Sequence, residues 1–183
     1  MHVTSICGSP SARSRSTWLA QLALTHLEGS ARATTAIDLR ALPAAELLGA
    51  QLEAAPIRDA VAAVGSADLV IVATPIYKAA YSGLLKAFLD LLPADALRGK
   101  TVWPLATGGS AAHLLALDYA LKPVLGALGA RDILDGVFAT DAQLPAHASG
   151  GFVPDPPLLD RLRRAAAPLR ADAAEAGARR CRA

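Results

Sequence analysis

The stretch CGSPSARSRST, Cys7 to Thr17, sets five hydroxyls and two guanidinium groups beside a glycine and a proline. Donors at that density are unfavourable to desolvate unless an anion satisfies them, so the stretch reads as an anion cradle. It leads into a helical pattern, whose unpaired N–H groups and dipole favour a negative charge at its start. Ser9, Ser14, Ser16 and Thr17 add hydroxyl donors, and Arg15 adds the countercharge. The competing reading is a serine-rich helix cap with solvated arginines, since Ser14 alone can cap the helix. The phosphate reading is favoured because Gly8 and Ser9 follow a strand directly.

Two further loops carry unusual chemistry. In TPIYKAAYSG, Pro75, Ile76 and Tyr77 offer an apolar, partly aromatic wall, with Lys78 and backbone groups as donors. In TGGSAAH, Thr107 and Ser110 flank Gly108 and Gly109, two glycines that let backbone N–H groups approach a flat ligand closely. A phosphate socket, an apolar wall and a glycine ledge together fit flavin mononucleotide (FMN) better than a nucleoside phosphate. Taken singly, each later loop also reads as an ordinary strand-to-helix turn.

Several chemistries lack their motifs. There is no G-x-G-x-x-G after the first strand and no G-x-x-x-x-G-K-[ST], so Asp38 at the end of the second strand reads as a strand-end cap or loop residue rather than a ribose ligand. Ser110 follows two glycines, but Ala112 stands where a G-x-S-x-G elbow needs its second glycine, which argues against a serine nucleophile. His2, His26, His113 and His147 are scattered without metal-ligand spacing, and no metal is expected.

The elements that must position these loops follow a regular order. Val3 to Cys7 is a β-branched run stopped by Gly8, and Ser14 to Leu27 places Trp18, Leu19, Leu22 and Ala23 at helical spacing. The alternation returns with the strand ATTAIDL, the helix IRDAVAAVGS, and ADLVIVATP, a strand so apolar that both faces must be covered. After it come the helix SGLLKAFLDLL, the strand KTVWPLAT, a helix through AAHLLALDYALKPVLGALG, the strand RDILDGVFA, and a last helix from Pro157 to Ala174. Five strands alternating with helices predict an α/β fold with a doubly wound parallel sheet. Ligands of such a sheet bind beyond the carboxyl ends of its strands, where the strand order reverses, and the three loops share that edge.

RALPAAELLGAQLEAAP reads as a surface excursion with a helical turn, and TDAQLPAHASGGFVPDPP as a loop. Residues 1–175 are expected to form one domain and residues 176–183 a polar tail without an apolar stripe. The helix Ser82 to Leu92 is apolar on more than one side through Leu84, Leu85, Phe88, Leu89 and Leu92, so one side is expected to cover a second subunit.

Composition removes other classes. Lys and Arg number 18 against 16 Asp and Glu, a net charge of +2 that gives no broad footprint for nucleic acid or an anionic membrane. Alanine is the largest single source of the hydrophobic fraction of 53%, and no run approaches the roughly 18 apolar residues of a spanning helix. Residues 1–7 lack the basic start and apolar stretch of a signal peptide, so a cytoplasmic protein is expected. Cys7 and Cys181 make no disulfide framework.

GSPSARSRS, ATPIYKAAYSGLLKAFLDLLP, LATGGSAAHLLALDYALKPVL and GVFATD together resemble the NAD(P)H-dependent FMN reductases of two-component alkanesulfonate monooxygenase systems. The resemblance covers most of residues 1–175. It implies a flavodoxin-like fold, a homo-oligomer (dimer or tetramer), and reduction of FMN by a nicotinamide nucleotide. It further implies that reduced flavin is handed to a partner monooxygenase for desulfonation of organosulfonates. Family residues at the flavin phosphate fall on Ser9, Ser14, Arg15 and Ser16. Those lining the ring fall on Pro75, Ile76, Tyr77 and Lys78, and on Thr107, Gly108 and Gly109. Family members often carry arginine directly after Gly-Ser-Pro, where this chain has Ser11 and then Arg13.

Backbone physics adds one more expectation. Pro123 lies inside a helical pattern, where proline deletes a hydrogen bond and clashes with the carbonyl four residues back, at Tyr119. A wide π-turn there relieves the clash. In the resembling family a tyrosine in this helix marks a π-helical insertion at a subunit interface near the flavin, so Tyr119 is expected to control access to the ring. Hydride moves from nicotinamide to flavin when the two rings stack, with no catalytic acid or base required. The rival expectations are a flavoprotein that retains FMN as an electron carrier or quinone or azo-dye reductase, and a binding module for a phosphorylated metabolite.

Overall fold

The computed structural model describes residues 1–180, and the side chains of residues 1–170; Cys181 lies outside the described residues. The order is β1 (His2–Cys7), α1 (Arg15–Thr25), β2 (Ala33–Asp38), α2 (Ala44–Leu48), α3 (Ala55–Gly65), β3 (Leu69–Tyr77), β4 (Ala80–Tyr81), α4 (Gly83–Leu89), β5 (Thr101–Gly108), α5 (Lys122–Ala127), β6 (Asp132–Ile133), β7 (Val137–Thr140) and α6 (Pro156–Arg180). The sheet order β2-β1-β3-β5, completed by β6 and β7 beyond β5, is the flavodoxin-like doubly wound arrangement. All these pairings are parallel, and β4 folds back antiparallel on the end of β3.

The apolar run of β3 fills both faces as its composition demands. Val70 and Val72 point into one core with Ile57 and Val64 of α3 and Leu85 and Phe88 of α4. Leu69, Ile71 and Ala73 point into the other, with Leu19 and Ala23 of α1 and Leu158 and Leu162 of α6. Period-two alternation in a central strand thus builds two cores from one sequence.

The strand expected over RDILDGVFA is broken into β6 and β7, and Pro104 explains the break. Val102 accepts from the Leu134 N–H at 2.9 Å, so alternate residues of β5, Pro104 included, face this edge. Proline has no N–H to continue the ladder. Gly136 fills the gap: a Cβ there would meet Leu117 Cδ1 at 2.8 Å and the Pro104 carbonyl at 3.3 Å.

The helix expected over residues 111–129 is also divided. Ala111–His113 form a single 3₁₀ turn, Leu117–Leu121 wind as a π-helix, and α5 begins at Lys122. Pro123 therefore stands in the first α-helical turn after the π segment, where the wider winding ahead of it accommodates a residue without an N–H. The excursion after β2 contains α2 and reaches inward, with Leu39 and Leu47 buried in the core of α4. That covering corrects the expectation for α4: Leu85, Phe88, Leu89 and Leu92 are buried within the chain, and Leu84 alone of the five stays partly open. α6 runs past Ala174 to Arg180, carried by alanine propensity rather than by an apolar stripe.

Among the described residues no helix is long and apolar enough to cross a membrane, and no group of three His, Cys, Asp or Glu side chains is placed to hold a metal ion.

Candidate functional site

The site forms where β1 and β3 part company. Gly8 N–H still donates to the Ala73 carbonyl at 2.8 Å, and a Cβ on Gly8 would strike Leu85 Cβ at 2.7 Å, so the chain turns away from the sheet through the one residue that fits. Two residues beyond Ala73, Pro75 faces the same side, where β1 has already left. Its missing N–H interrupts no ladder there, and the backbone edge opens into a cleft.

That cleft, about 230 Å³, is lined by Ser9, Ser11, Arg13, Ser14, Arg15 and Ser16 from the first loop and the start of α1, by Pro75, Ile76 and Tyr77 from the end of β3, by Thr107, Gly108 and Gly109 from the end of β5, and by Asp141 after β7. Ten of the residues singled out in the sequence therefore meet in one place: Ser9, Ser14, Arg15, Ser16, Pro75, Ile76, Tyr77, Thr107, Gly108 and Gly109. Four others, Thr17, Lys78, Ser110 and Tyr119, stand outside its lining. Thr17 lies in the first turn of α1 and gives its backbone N–H to the Ser14 hydroxyl at 3.1 Å. Lys78 occupies a hairpin turn, and Ser110 caps a 3₁₀ turn by accepting from the Ala112 N–H at 3.2 Å.

The first loop is organised as an acceptor of negative charge. Ser14 is the N-cap of α1, its hydroxyl accepting from the Thr17 N–H at 3.1 Å and lying 3.1 Å from the Ser16 hydroxyl. Ser9 is buried and its hydroxyl oxygen accepts from the Ser11 N–H at 3.2 Å. Arg15 donates from Nε to the Leu144 carbonyl at 3.0 Å and approaches Asp141 Oδ1 at 3.5 Å. These contacts leave both terminal nitrogens of Arg15 available, in the fork that suits a phosphate.

A strap from Asp141 to Asp155 folds over this loop, joined by the antiparallel bridge of Ala146 with Phe152. The Phe152 ring lies 5.0 Å from the Arg15 guanidinium and 5.4 Å from that of Arg13, and edge-on to Trp18. Arg13 also donates to the His147 and Gly151 carbonyls at 3.4 Å. Gly151 has φ +73°, and a Cβ there would meet the Trp18 ring at 2.6 Å. The strap therefore holds both guanidinium groups from behind.

The wall is braced from below. Ser82, the N-cap of α4, accepts from the Leu85 N–H at 3.1 Å and donates to the Gly8 carbonyl. Its own N–H donates to the Thr74 hydroxyl at 3.0 Å. Through one buried serine the phosphate-type loop and the wall are locked together. Beyond the wall, Lys78 and Ala79 have φ +50° and +65°, the two positive values of a type I′ hairpin turn. The Tyr119 hydroxyl, from the π-helix, donates to the Ala79 carbonyl at 2.8 Å.

Gly108 and Gly109 differ in their surroundings. A Cβ on Gly108 would lie 3.0 Å from Phe138 Cζ, whereas one on Gly109 meets nothing within 4 Å. Gly108 is thus closed in by Phe138 and Ile76, whereas Gly109 has no neighbour on its Cβ side. Burial pushes the Cys7 thiol up to about 11, with the Asp38 carboxylate raising it further and the Thr17 and Ser5 hydroxyls opposing. Cys7 is accordingly a protonated core residue, and Asp38 caps the turn after β2 by accepting from the Arg40 N–H at 3.1 Å.

Asp141, Phe152, Thr74 and Ser82 were not read from the sequence as site residues. Asp141 had a signal: it follows the last strand of the sheet at the same carboxyl edge as the other three loops. Phe152 acts through contacts distant in sequence, and Ser82 shows locally only as a helix cap, its bond to the Gly8 carbonyl leaving no sequence trace.

The family described as NADPH-dependent FMN reductase matches residues 1–144. A Pseudomonas putida protein named FMN reductase (NADPH) is 49% identical over 150 residues, covering 82% of this chain and 76% of its own. An Escherichia coli protein of the same name is 48% identical over 156 residues, covering 85% and 82%. The apo crystal structure of an NADH:FMN oxidoreductase, EMOB, superposes with a TM-score of 0.84 at 41% identity, covering 93% of this chain and 89% of that one.

Proposed function

Because the chain belongs to the NADPH-dependent FMN reductase family, and so is an NAD(P)H:FMN oxidoreductase, we propose that it treats FMN as a substrate to be reduced and released, supplying a separate flavin-dependent monooxygenase. The observation that carries this reading is the cleft itself, which joins anion donors, an apolar wall and a glycine ledge at one sheet edge. Its donor set suits a phosphate monoester, and the wall of Pro75, Ile76 and Tyr77 beside the ledge suits a ring. Ser9, Ser14, Ser16 and Arg15 would hold the phosphate, Pro75, Ile76 and Tyr77 would flank the ring, and the Gly108 and Gly109 N–H groups would polarise it. The bound flavin supplies hydride chemistry, accepting from a nicotinamide.

Release is supported by the openness of the site. Asp141 and Arg15, which line it, keep 52% and 32% of their side chains exposed. Exposed Tyr77, Leu114, Leu115 and Tyr119, on the hairpin and the adjoining segment, support a homo-oligomer, dimer or tetramer. The desulfonating partner is supported by the resemblance of the quoted stretches to reductases of that kind.

The test follows nicotinamide absorbance on protein stripped of flavin, with NADH and NADPH, with and without added FMN. Saturable dependence on free FMN, with flavin lost on gel filtration, is the expected result. Flavin that co-elutes, with turnover indifferent to added FMN, would replace the supplier by a flavin-retaining reductase. Sulfite release in a coupled assay with a flavin-free alkanesulfonate monooxygenase checks the partner.

A further inference from the structure

Among the described residues Asp141 is the only acidic side chain lining the cleft. Its N–H donates to the Gly108 carbonyl at 3.2 Å, which fixes it where the glycine ledge meets the first loop. Its carboxylate lies 3.5 Å from Arg15 Nε and is 52% exposed. A carboxylate in this position opposes a phosphate in two ways. It repels a second anion at short range, and it partly neutralises the guanidinium that would receive that anion.

Arg15 does not need the carboxylate to hold its place. The Leu144 carbonyl binds its Nε at 3.0 Å, and the Phe152 ring backs its guanidinium at 5.0 Å. The strap and the helix start thus supply positioning, and Asp141 adds negative charge to a socket otherwise built for anions. Resting on the reading that FMN is bound and released, we infer that Asp141 sets the looseness of the grip: it competes with the flavin phosphate for Arg15 and hastens the departure of flavin. Its carboxylate meets the arginine of the phosphate end, so the effect on binding should require the phosphate.

The test compares wild type with Asp141→Asn and Asp141→Ser, titrating each with FMN and with riboflavin, which lacks the phosphate, and following FMN dissociation by stopped-flow fluorescence. In low salt both variants should bind FMN roughly tenfold more tightly, chiefly through slower dissociation. Riboflavin affinity should not change, and the gap for FMN should narrow at about 0.5 M salt as screening shortens the reach of the carboxylate. FMN affinity that is unchanged or weaker in both variants overturns the inference, because Asp141 would then orient Arg15. Equal tightening for riboflavin overturns it too. Wild-type protein that binds neither flavin removes the functional reading and this inference with it, whereas wild-type binding with unaltered variants removes only the inference.

Discussion

The Tyr119 hydroxyl donates to the Ala79 carbonyl at 2.8 Å, tying the π-helix to the tip of the hairpin that carries Tyr77. Lys78 and Ala79 hold positive φ without being glycines, a strained turn that an outside contact helps to maintain. Tyr119 is 58% exposed, so little of the fold depends on it. Tyr119→Phe should lower stability by only about 0.5–1.5 kcal/mol, while Tyr119→Ala should change the KM for FMN or the turnover number. Steady-state kinetics with FMN as the varied substrate, beside a thermal melt, separates the two effects. A melt shift with no kinetic change in either variant would reduce Tyr119 to packing.

The legible parts of this molecule were those written locally. The strand-loop-helix alternation and the three loops at one edge followed from apolar period and from Gly8, Gly108 and Gly109, because those signals lie within a few residues of what they determine. The broken fifth strand did not, since Pro104 acts across the sheet on residues some thirty positions later. Likewise the π-helix was readable from Pro123, but its tether to Ala79 was not. The apolar excess of α4 pointed outward to a partner because the sequence could not show that the excursion after β2 folds back to cover it.

Arg15 bears the charge most directly presented to a phosphate. A hydrogen bond to a charged group is worth about 1.5–3 kcal/mol, so Arg15→Ala should weaken FMN binding roughly 10- to 100-fold. Riboflavin should bind wild type and variant alike. Calorimetric titration with both flavins decides the matter, and an unaltered FMN affinity would reject the cradle.

Gly108 and Gly109 should answer differently to the same substitution. The methyl of Gly108→Ala presses on the Phe138 ring, whereas that of Gly109→Ala enters open space. Gly109→Ala should therefore keep its melting temperature and lose flavin affinity, and Gly108→Ala should lose stability first. Parallel melts and FMN titrations show the contrast; a Gly109→Ala variant that binds FMN normally would remove the ledge from the site.

Ser82 joins α4 to the first loop. Alanine there leaves the Gly8 carbonyl and the Leu85 N–H without their buried partner, a combined loss of about 2 kcal/mol. For a chain of this size that is a fall in melting temperature of roughly 4–8 °C. Ser82→Thr retains the hydroxyl and should recover the greater part. If the affinity for FMN falls further than the melt in Ser82→Ala, the serine also positions the socket.

Alkaline stability should report Cys7. Its thiol titrates near 9.0 when exposed and is pushed up to about 11 by burial in the fold. Between those values the unfolded chain has released a proton that the folded chain still holds, so stability falls as pH rises through the window. Two units correspond to roughly 2–3 kcal/mol at the upper end. Denaturant melts from pH 8 to 11 should show this slope in wild type and a shallower one in Cys7→Ala, whatever the variant's stability at neutral pH. The same burial keeps the thiolate scarce, so peptide mapping after mild alkylation at pH 8 should find Cys7 unmodified in the folded protein and labelled in urea. Rapid labelling of native Cys7 would mean that the strand beneath the cleft opens far more readily than its packing against α1 allows.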